Sequence, residues 1–264
     1  MNLQFSVLAS GSTGNSFFIG NEKTQFLVDA GLSAKGLEEQ LIKIDRNIKD
    51  INGILITHEH IDHVKGIGVI ARKHNIPIYA NEKTWKSIGE SLGKIPLECR
   101  NLFDVEDNKV LEGLGIESFA ISHDAAEPMG YVFHNNGKKL VYITDTGYVS
   151  QRVKSIIKDA DIYIFESNHD VSMLQMCQYP WHIKRRILSD VGHVSNEDAA
   201  IALSEVITDR TNRIYLAHLS QDNNLKDIAK MVCTQILEER GHIIGDKLQI
   251  HDTDPKTPTE LVLI

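Results

Sequence analysis

The chain has 264 residues, of which 42% are hydrophobic and 24% charged, enough to bury a full core and to exclude a disordered or collagen-like polymer. Its net charge of −8 disfavours a passive, sequence-independent nucleic-acid coat, which needs a basic surface, but leaves open an enzyme that grips phosphate locally.

The elements alternate along the chain. Leu3–Leu8, Ser16–Ile19 and Gln25–Asp29 read as strands separated by polar turns. Leu37, Leu41 and Ile44 mark the buried face of a helix before a strand at Ile54–Thr57. Ile67, Ile70 and Ala71 mark a second helix, and Pro77 ends that region. Strands are predicted at Ile116–Ser122, Gly130–His134 and Lys139–Thr144, then a helix through Ile156–Ile157 and a strand at Asp161–Glu166. Ser195 with Asp198 resembles a capping box, opening a helix through Ala199, Ala200, Leu203 and Val206. A strand at Ile214–Ala217 and a helix at Leu225–Leu237 follow, and Asp252–Pro258 reads as turn or tail. No repeat or linker divides the chain, so residues 1–264 read as a single domain. Clustered strands with flanking helices suggest two sheets covered by helices, an αββα layering.

No apolar run approaches the ~18 residues of a membrane span. Cys99, Cys177 and Cys233 lie far apart without a CxxC, so neither a disulfide framework nor a disulfide-linked partner is expected. The first basic residue is Lys23, so the start lacks the charge of a secretory signal, and a cytoplasmic location is expected.

The strongest chemical signal is Thr57-His58-Glu59-His60-Ile61-Asp62-His63, directly after the apolar run Ile54–Ile56. In an extended segment alternate side chains share a face, so His58 and His60 point the same way. Asp62 and His63 then open the next helix, and this density of imidazole and carboxylate is a metal-ligand spacing. His123, Asp145 and His218 each follow a β-type run and are the candidate partners from elsewhere in the chain.

With these residues the chain resembles the metallo-β-lactamase superfamily, matching its HxHxDH motif and its later metal motifs in chain order. The resemblance implies an α/β (α+β) fold, a four-layer αββα sandwich of two mixed β-sheets flanked by helices. It also implies a site for two divalent ions, with Zn, Mn or Fe all compatible with a donor set lacking thiolate. One ion takes His58, His60 and His123, the other Asp62, His63 and His218, with Asp145 bridging. Asp29 fixes the geometry from behind the ligands. A hydroxide shared by the two ions is then the nucleophile, since such a pair lowers the pKa of water toward ~7.

Gly192-His193-Val194-Ser195 resembles a segment of the superfamily's nuclease branch, where a histidine lies near the leaving oxygen, paired with a glutamate on an earlier strand. The matching pair is His193 with Glu166. A protonated imidazole supplies the proton that an expelled alkoxide needs, so Asp62, His193 and Glu166 are the candidate catalytic residues. The segments between His123, Asp145 and His218 are too short for the protruding arm or the extra domain of larger nucleases. Residues Ser10–Ser16, Ser167–Asp170 and Tyr179–Arg186 are similar to those of the YycJ/WalJ/VicX family, described as DNA exonucleases and encoded with a cell-wall regulatory system. That resemblance implies a 5′-to-3′ DNA exonuclease, with a small-ester or thioester hydrolase and an RNA-processing nuclease as alternatives, and leaves a regulatory protein partner open.

Ser12, Asn15, His169, Lys184 and Arg185 are the candidate substrate contacts. Trp181–Arg186 combines an aromatic ring with basic side chains, which suits stacking and phosphate contact but equally a solvated helix face. The Ser10–Ser16 glycines suit either an anion-binding loop or a tight hairpin.

Overall fold

Strand Ile162–Glu166 is buried along its whole length, and its side chains divide by parity. Ile162 and Ile164 join a cluster between two sheets, while Tyr163 and Phe165 join another beneath helices. A strand covered on both faces reads as an unbroken apolar run, which is how this segment reads in the sequence. The computed structural model describes residues 2–264, and among them the strands form two seven-stranded sheets stacked face to face.

In chain order the first sheet takes β1 (Gln4–Ala9), β2 (Ser16–Gly20), β3 (Gln25–Val28), β4 (Gly53–Leu55), β5 (Ile78–Ala80) and β6 (Arg100–Leu102). The second takes β7 (Asn108–Leu111), β8 (Leu114–Ala120), β9 (Met129–Asn135), β10 (Lys138–Ile143), β11 (Ile162–Glu166), β12 (Arg213–Ala217) and β13 (Gln249–Asp252). A last strand, β14 (Val262–Leu263), returns to the first sheet and pairs with β1. Both sheets are mixed: β1 to β3 and β7 to β10 run antiparallel, whereas β3 to β6 and β10 to β13 run parallel.

Parallel neighbours need crossovers, and helices supply most of them. They are α1 (Ala34–Lys43), α2 (Ile61–Val64), α3 (Ile67–His74), α4 (Glu82–Ile88), α5 (Gln151–Ile157), α6 (Val171–Met176), α7 (Trp181–Ile187), α8 (Asn196–Val206) and α9 (Lys226–Glu239). Leu37, Leu41, Ile67 and Ile70 pack on the outer face of the first sheet, and Ala200, Leu203, Ala229 and Cys233 on that of the second. The sheets meet through Phe5, Phe17, Tyr131, Phe133, Tyr142 and Tyr215, with Phe17 stacked on Tyr142 at 5.1 Å. This is the expected αββα sandwich. Among the described residues no helix is long and apolar enough to cross a membrane, and the three cysteines are free thiols.

The long predicted elements are present, and Ser195 caps α8, its Oγ accepting from the Asp198 amide at 3.1 Å. The chain after Asp252 is more ordered than a tail: Ser6 Oγ donates to the Thr259 carbonyl at 2.8 Å, and β14 then covers the β1 edge. Strands β5, β6, β7, β13 and β14 were not predicted, because runs of two to four residues show no readable alternation.

One ion-pair cluster anchors the end of the second sheet opposite Asp145, Glu166 and His218. Asp161 accepts from the Lys139 amide at 2.8 Å, Lys138 Nζ at 3.0 Å and the Arg210 guanidinium. Burial alone would raise its pKa, but Arg210 and the two lysine donors hold it below the usual carboxylate range. A depressed folded-state pKa adds stability that is present above the unfolded value and disappears as pH falls through the folded one. Asp161→Asn is therefore expected to cost about 2–4 kcal/mol at pH 7, with the difference from the parent shrinking as pH falls below the usual carboxylate range, as read by urea melts at neutral and acid pH.

Candidate metal centre

Asp29, His58, Asp145, Glu166 and His218 all sit at or just beyond the carboxyl ends of parallel strands, β3, β4, β10, β11 and β12. That edge is where open α/β sheets present their loops and bind ligands. Three of these residues take the left-handed backbone conformation, with φ of 61° at Asp29, 56° at Asp145 and 52° at His218. Aspartate and histidine enter this region more readily than most side chains, and such a conformation persists where the surroundings enforce it. At His218 they do: its amide donates to Ser10 Oγ at 2.7 Å and its carbonyl accepts from Asn168 Nδ2 at 2.9 Å.

The loop from His58 to His63 is held from behind by Asp29. This buried carboxylate accepts from the Thr57 amide at 2.9 Å, the Thr57 hydroxyl at 2.8 Å and His63 Nδ1 at 2.8 Å. The segment after β3 presses on the same loop: Ala30 N donates to the His63 carbonyl at 2.8 Å, and a Cβ on Gly31 would lie 1.6 Å from the Asp62 carbonyl oxygen. Only glycine fits there.

In front of that support the ring nitrogens converge. His60 Nδ1 lies 3.1 Å from His58 Nε2 and 3.3 Å from His123 Nε2. Bonds of ~2.0–2.1 Å to one tetrahedral ion would separate its nitrogen ligands by about 3.3 Å, so this spacing fits a cation. The far nitrogens are committed, His123 Nδ1 to the Gly192 carbonyl at 3.1 Å and His58 Nδ1 to the Thr57 hydroxyl at 3.0 Å. Burial holds His58 and His123 below the usual histidine range, which keeps them neutral with lone pairs to offer.

Beside this trio lies a second donor group, Asp62, His63 and His218. Asp145 reaches toward both groups: Oδ2 is 3.2 Å from His63 Nε2, and Oδ1 is 3.3 Å from His218 Nδ1 and 3.9 Å from His123 Nε2. Burial would raise the Asp145 pKa, but His218 and His63 hold it well below the usual range. Asp145 Oδ2 and His218 Nε2 are buried without a hydrogen-bond partner. Orphaned polar atoms of this kind, in donor groups that lack thiolate, fit two divalent cations.

Next to the histidines, His193 Nδ1 meets Glu166 Oε1 at 2.7 Å. Burial alone would lower the His193 pKa; the Glu166 carboxylate overrides it and raises the ring above its ordinary value. Glu166 also faces His218 Nδ1 at 3.0 Å and accepts from the Thr146 amide at 2.6 Å. The predicted pair is thus tied into the donor cluster.

The predicted substrate contacts fare differently. Ser12 is exposed and lines a cavity beside His193. Asn15 is buried, its Nδ2 3.2 Å from Asp62 Oδ2 and 3.0 Å from His63 Nε2, so it orients donors and is closed to substrate. The Gly14 and Asn15 amides are spent on the Gly11 and Asp62 carbonyls, which makes Ser10–Ser16 a tight hairpin with no free amide nest at those positions. Lys184 is buried, and its ammonium caps α6 on the carbonyls of Gln175 and Cys177 at 2.7 Å each, so it is turned into the protein and away from a strand. His169 is 1% exposed with both ring nitrogens unpartnered, and burial lowers its pKa to about 4. Arg185 is exposed on α7 and does not line the cavity.

The residue of that basic run which faces the site is Arg186, bound to the carboxylate of Asp124. Helical spacing carries the signal: Ile183, Arg186 and Ile187 fall at i, i+3 and i+4 on one face, away from Arg185. Thr57 and Asp124, both in contact with the centre, were also missed, because a lone threonine or aspartate beside a histidine has no periodicity of its own.

A match to known proteins gives this arrangement its context. The family described as "Beta-lactamase superfamily domain" matches residues 24–219. The chain is 58% identical over 261 residues, 99% of each chain, to Exodeoxyribonuclease YycJ of Bacillus anthracis. It is 45% identical over 266 residues, 100% of this chain and 99% of the other, to Exodeoxyribonuclease WalJ of Streptococcus pneumoniae. The metallo-β-lactamase fold protein YhfI of Bacillus subtilis has the same fold, with a TM-score of 0.73 at 14% identity over 98% of this chain and 99% of that one. Fold, donor clusters and full-length relatives agree: this chain belongs to the metallo-β-lactamase superfamily of metal-dependent hydrolases, in the group of the YycJ and WalJ proteins.

Proposed function

We propose that the protein is a two-metal phosphodiesterase that removes nucleotides from DNA ends. His58, His60 and His123 would hold one cation and Asp62, His63 and His218 the other, with Asp145 between them. Two divalent ions bound there would lower the pKa of water and neutralise charge building on the phosphate oxygens. Asp62 is partly exposed, and His218 and His63 keep its carboxylate well below the usual range against the effect of burial. It accepts a hydrogen bond from the attacking water, which it aims at phosphorus. The water oxygen bonds to phosphorus as the phosphorus–oxygen bond to the leaving nucleotide breaks, and the water's proton passes to solvent. His193, kept charged by Glu166, gives its Nε2 proton to the departing oxygen.

The His193–Glu166 pair carries the reading. A thiolate leaves without a proton, so a thioesterase has no use for a buried carboxylate that raises the pKa of an imidazole beside the donors. The names of the two full-length relatives supply the support for DNA and for action at an end. The test is elemental analysis followed by digestion of end-labelled single- and double-stranded DNA and RNA. Mononucleotides are expected from DNA with divalent cation, abolished by a chelator and restored when the metal returns. Intact DNA after metal is restored, or undiminished activity in metal-free protein, would overturn the proposal.

A further inference from the structure

We infer that the cavity beside His193 seats the base of the single nucleotide expelled in each cleavage. The inference rests on the phosphodiesterase reading above and deepens it. The cavity measures about 220 Å³, and His193 and His218 form part of its wall, so it adjoins the donor cluster on the side of the proton donor. Whatever it holds is therefore attached to the departing oxygen.

Its lining is suited to a flat, largely neutral group. Ile183 and Ile187 contribute apolar side chains from one face of α7, and Leu219 adds another from the loop after β12. Tyr179 presents a ring whose orientation is pinned by its hydroxyl donating to Asp222 Oδ2 at 2.5 Å. The charged groups argue against a phosphate here. Asp222 and Asp124 both border the space, and the guanidinium of Arg186 is already paired with Asp124. A neutral base stacked on the Tyr179 ring brings no negative charge against those carboxylates, and stacking serves every base because each has a π-face. A cavity of about 220 Å³ has room for one base. For the 5′-to-3′ direction the broken bond is phosphorus–O3′. The expelled nucleotide then keeps its own 5′ group and gains a 3′-hydroxyl, and the shortened strand keeps the attacked phosphate with the water oxygen.

The metal-loaded protein is tested on two duplexes that differ only in the terminal residue at the digested end, one with a base and one abasic. The base-bearing end is expected to be removed about 5- to 150-fold faster in kcat/KM, the range that one stacked base supplies. Tyr179→Ala is expected to shrink that ratio toward one. Ile183→Trp, which fills the cavity, is expected to slow the base-bearing end toward the abasic rate, and it serves as the second variant if the alanine form does not fold. Equal rates on the two ends, or a ratio unchanged in both variants, overturns the base seat while leaving the phosphodiesterase reading intact. Failure to cleave either duplex overturns that reading and the base seat with it.

Discussion

Asp145→Ala is expected to lower kcat/KM on DNA by at least about 10³-fold and to reduce bound metal from two ions per chain to one or none. The carboxylate lies within 3.2–3.9 Å of His63, His218 and His123, so among the described residues it is the carboxylate that reaches both donor groups. Without it the imidazoles lose the negative charge that favours two adjacent cations. Electrophilic stabilisation by such ions is worth several kcal/mol, and each 1.36 kcal/mol is a factor of ten in rate. Elemental analysis alongside kinetics checks both halves. Two retained ions and an unimpaired rate would remove Asp145 from the centre.

His193→Ala is expected to lower kcat on DNA by about 10²–10⁴-fold, the usual worth of a positioned proton donor. Metal content is expected to stay as in the parent, because His193 lies outside both proposed ligand sets. The discriminating measurement is a methyl p-nitrophenyl phosphodiester, whose aryl oxide departs without help from an acid. Loss on that substrate should be less than about tenfold if His193 donates a proton, and as large as on DNA if it only supports the site. Glu166→Gln is less selective, since Glu166 also meets His218 and the Thr146 amide.

The sequence is most legible where chemistry is written locally. His58, His60, Asp62 and His63 form a motif because a strand end and a short helix bring near neighbours in sequence close together in space. His123, Asp145 and His218 stood out because each follows an apolar run, and parallel strands end on one edge. The substrate contacts were less legible. Charge alone points to Lys184 and Arg185, but on a helix the rotation of about 100° per residue decides which side chain faces the site, and it selects Arg186. Asn15 and His169 carry polar groups that suit a ligand, yet both are buried against the protein itself, a property that depends on what packs over them.

The sequence by itself determined the layered α/β architecture and the metal-binding motif, because periodicity and residue chemistry are local properties of the chain. The family resemblance implied Asp29 behind the loop and Asp145 between the donor groups; the tertiary structure supplies the contacts that Asp29 makes to His63 and Asp145 to His63 and His218, and it alone decided that the helix face of Ile183, Arg186 and Ile187 closes a cavity beside His193. These juxtapositions join residues remote in the chain, and they depend on the stacking of two sheets and on backbone turns at strand ends, which no short window of sequence encodes.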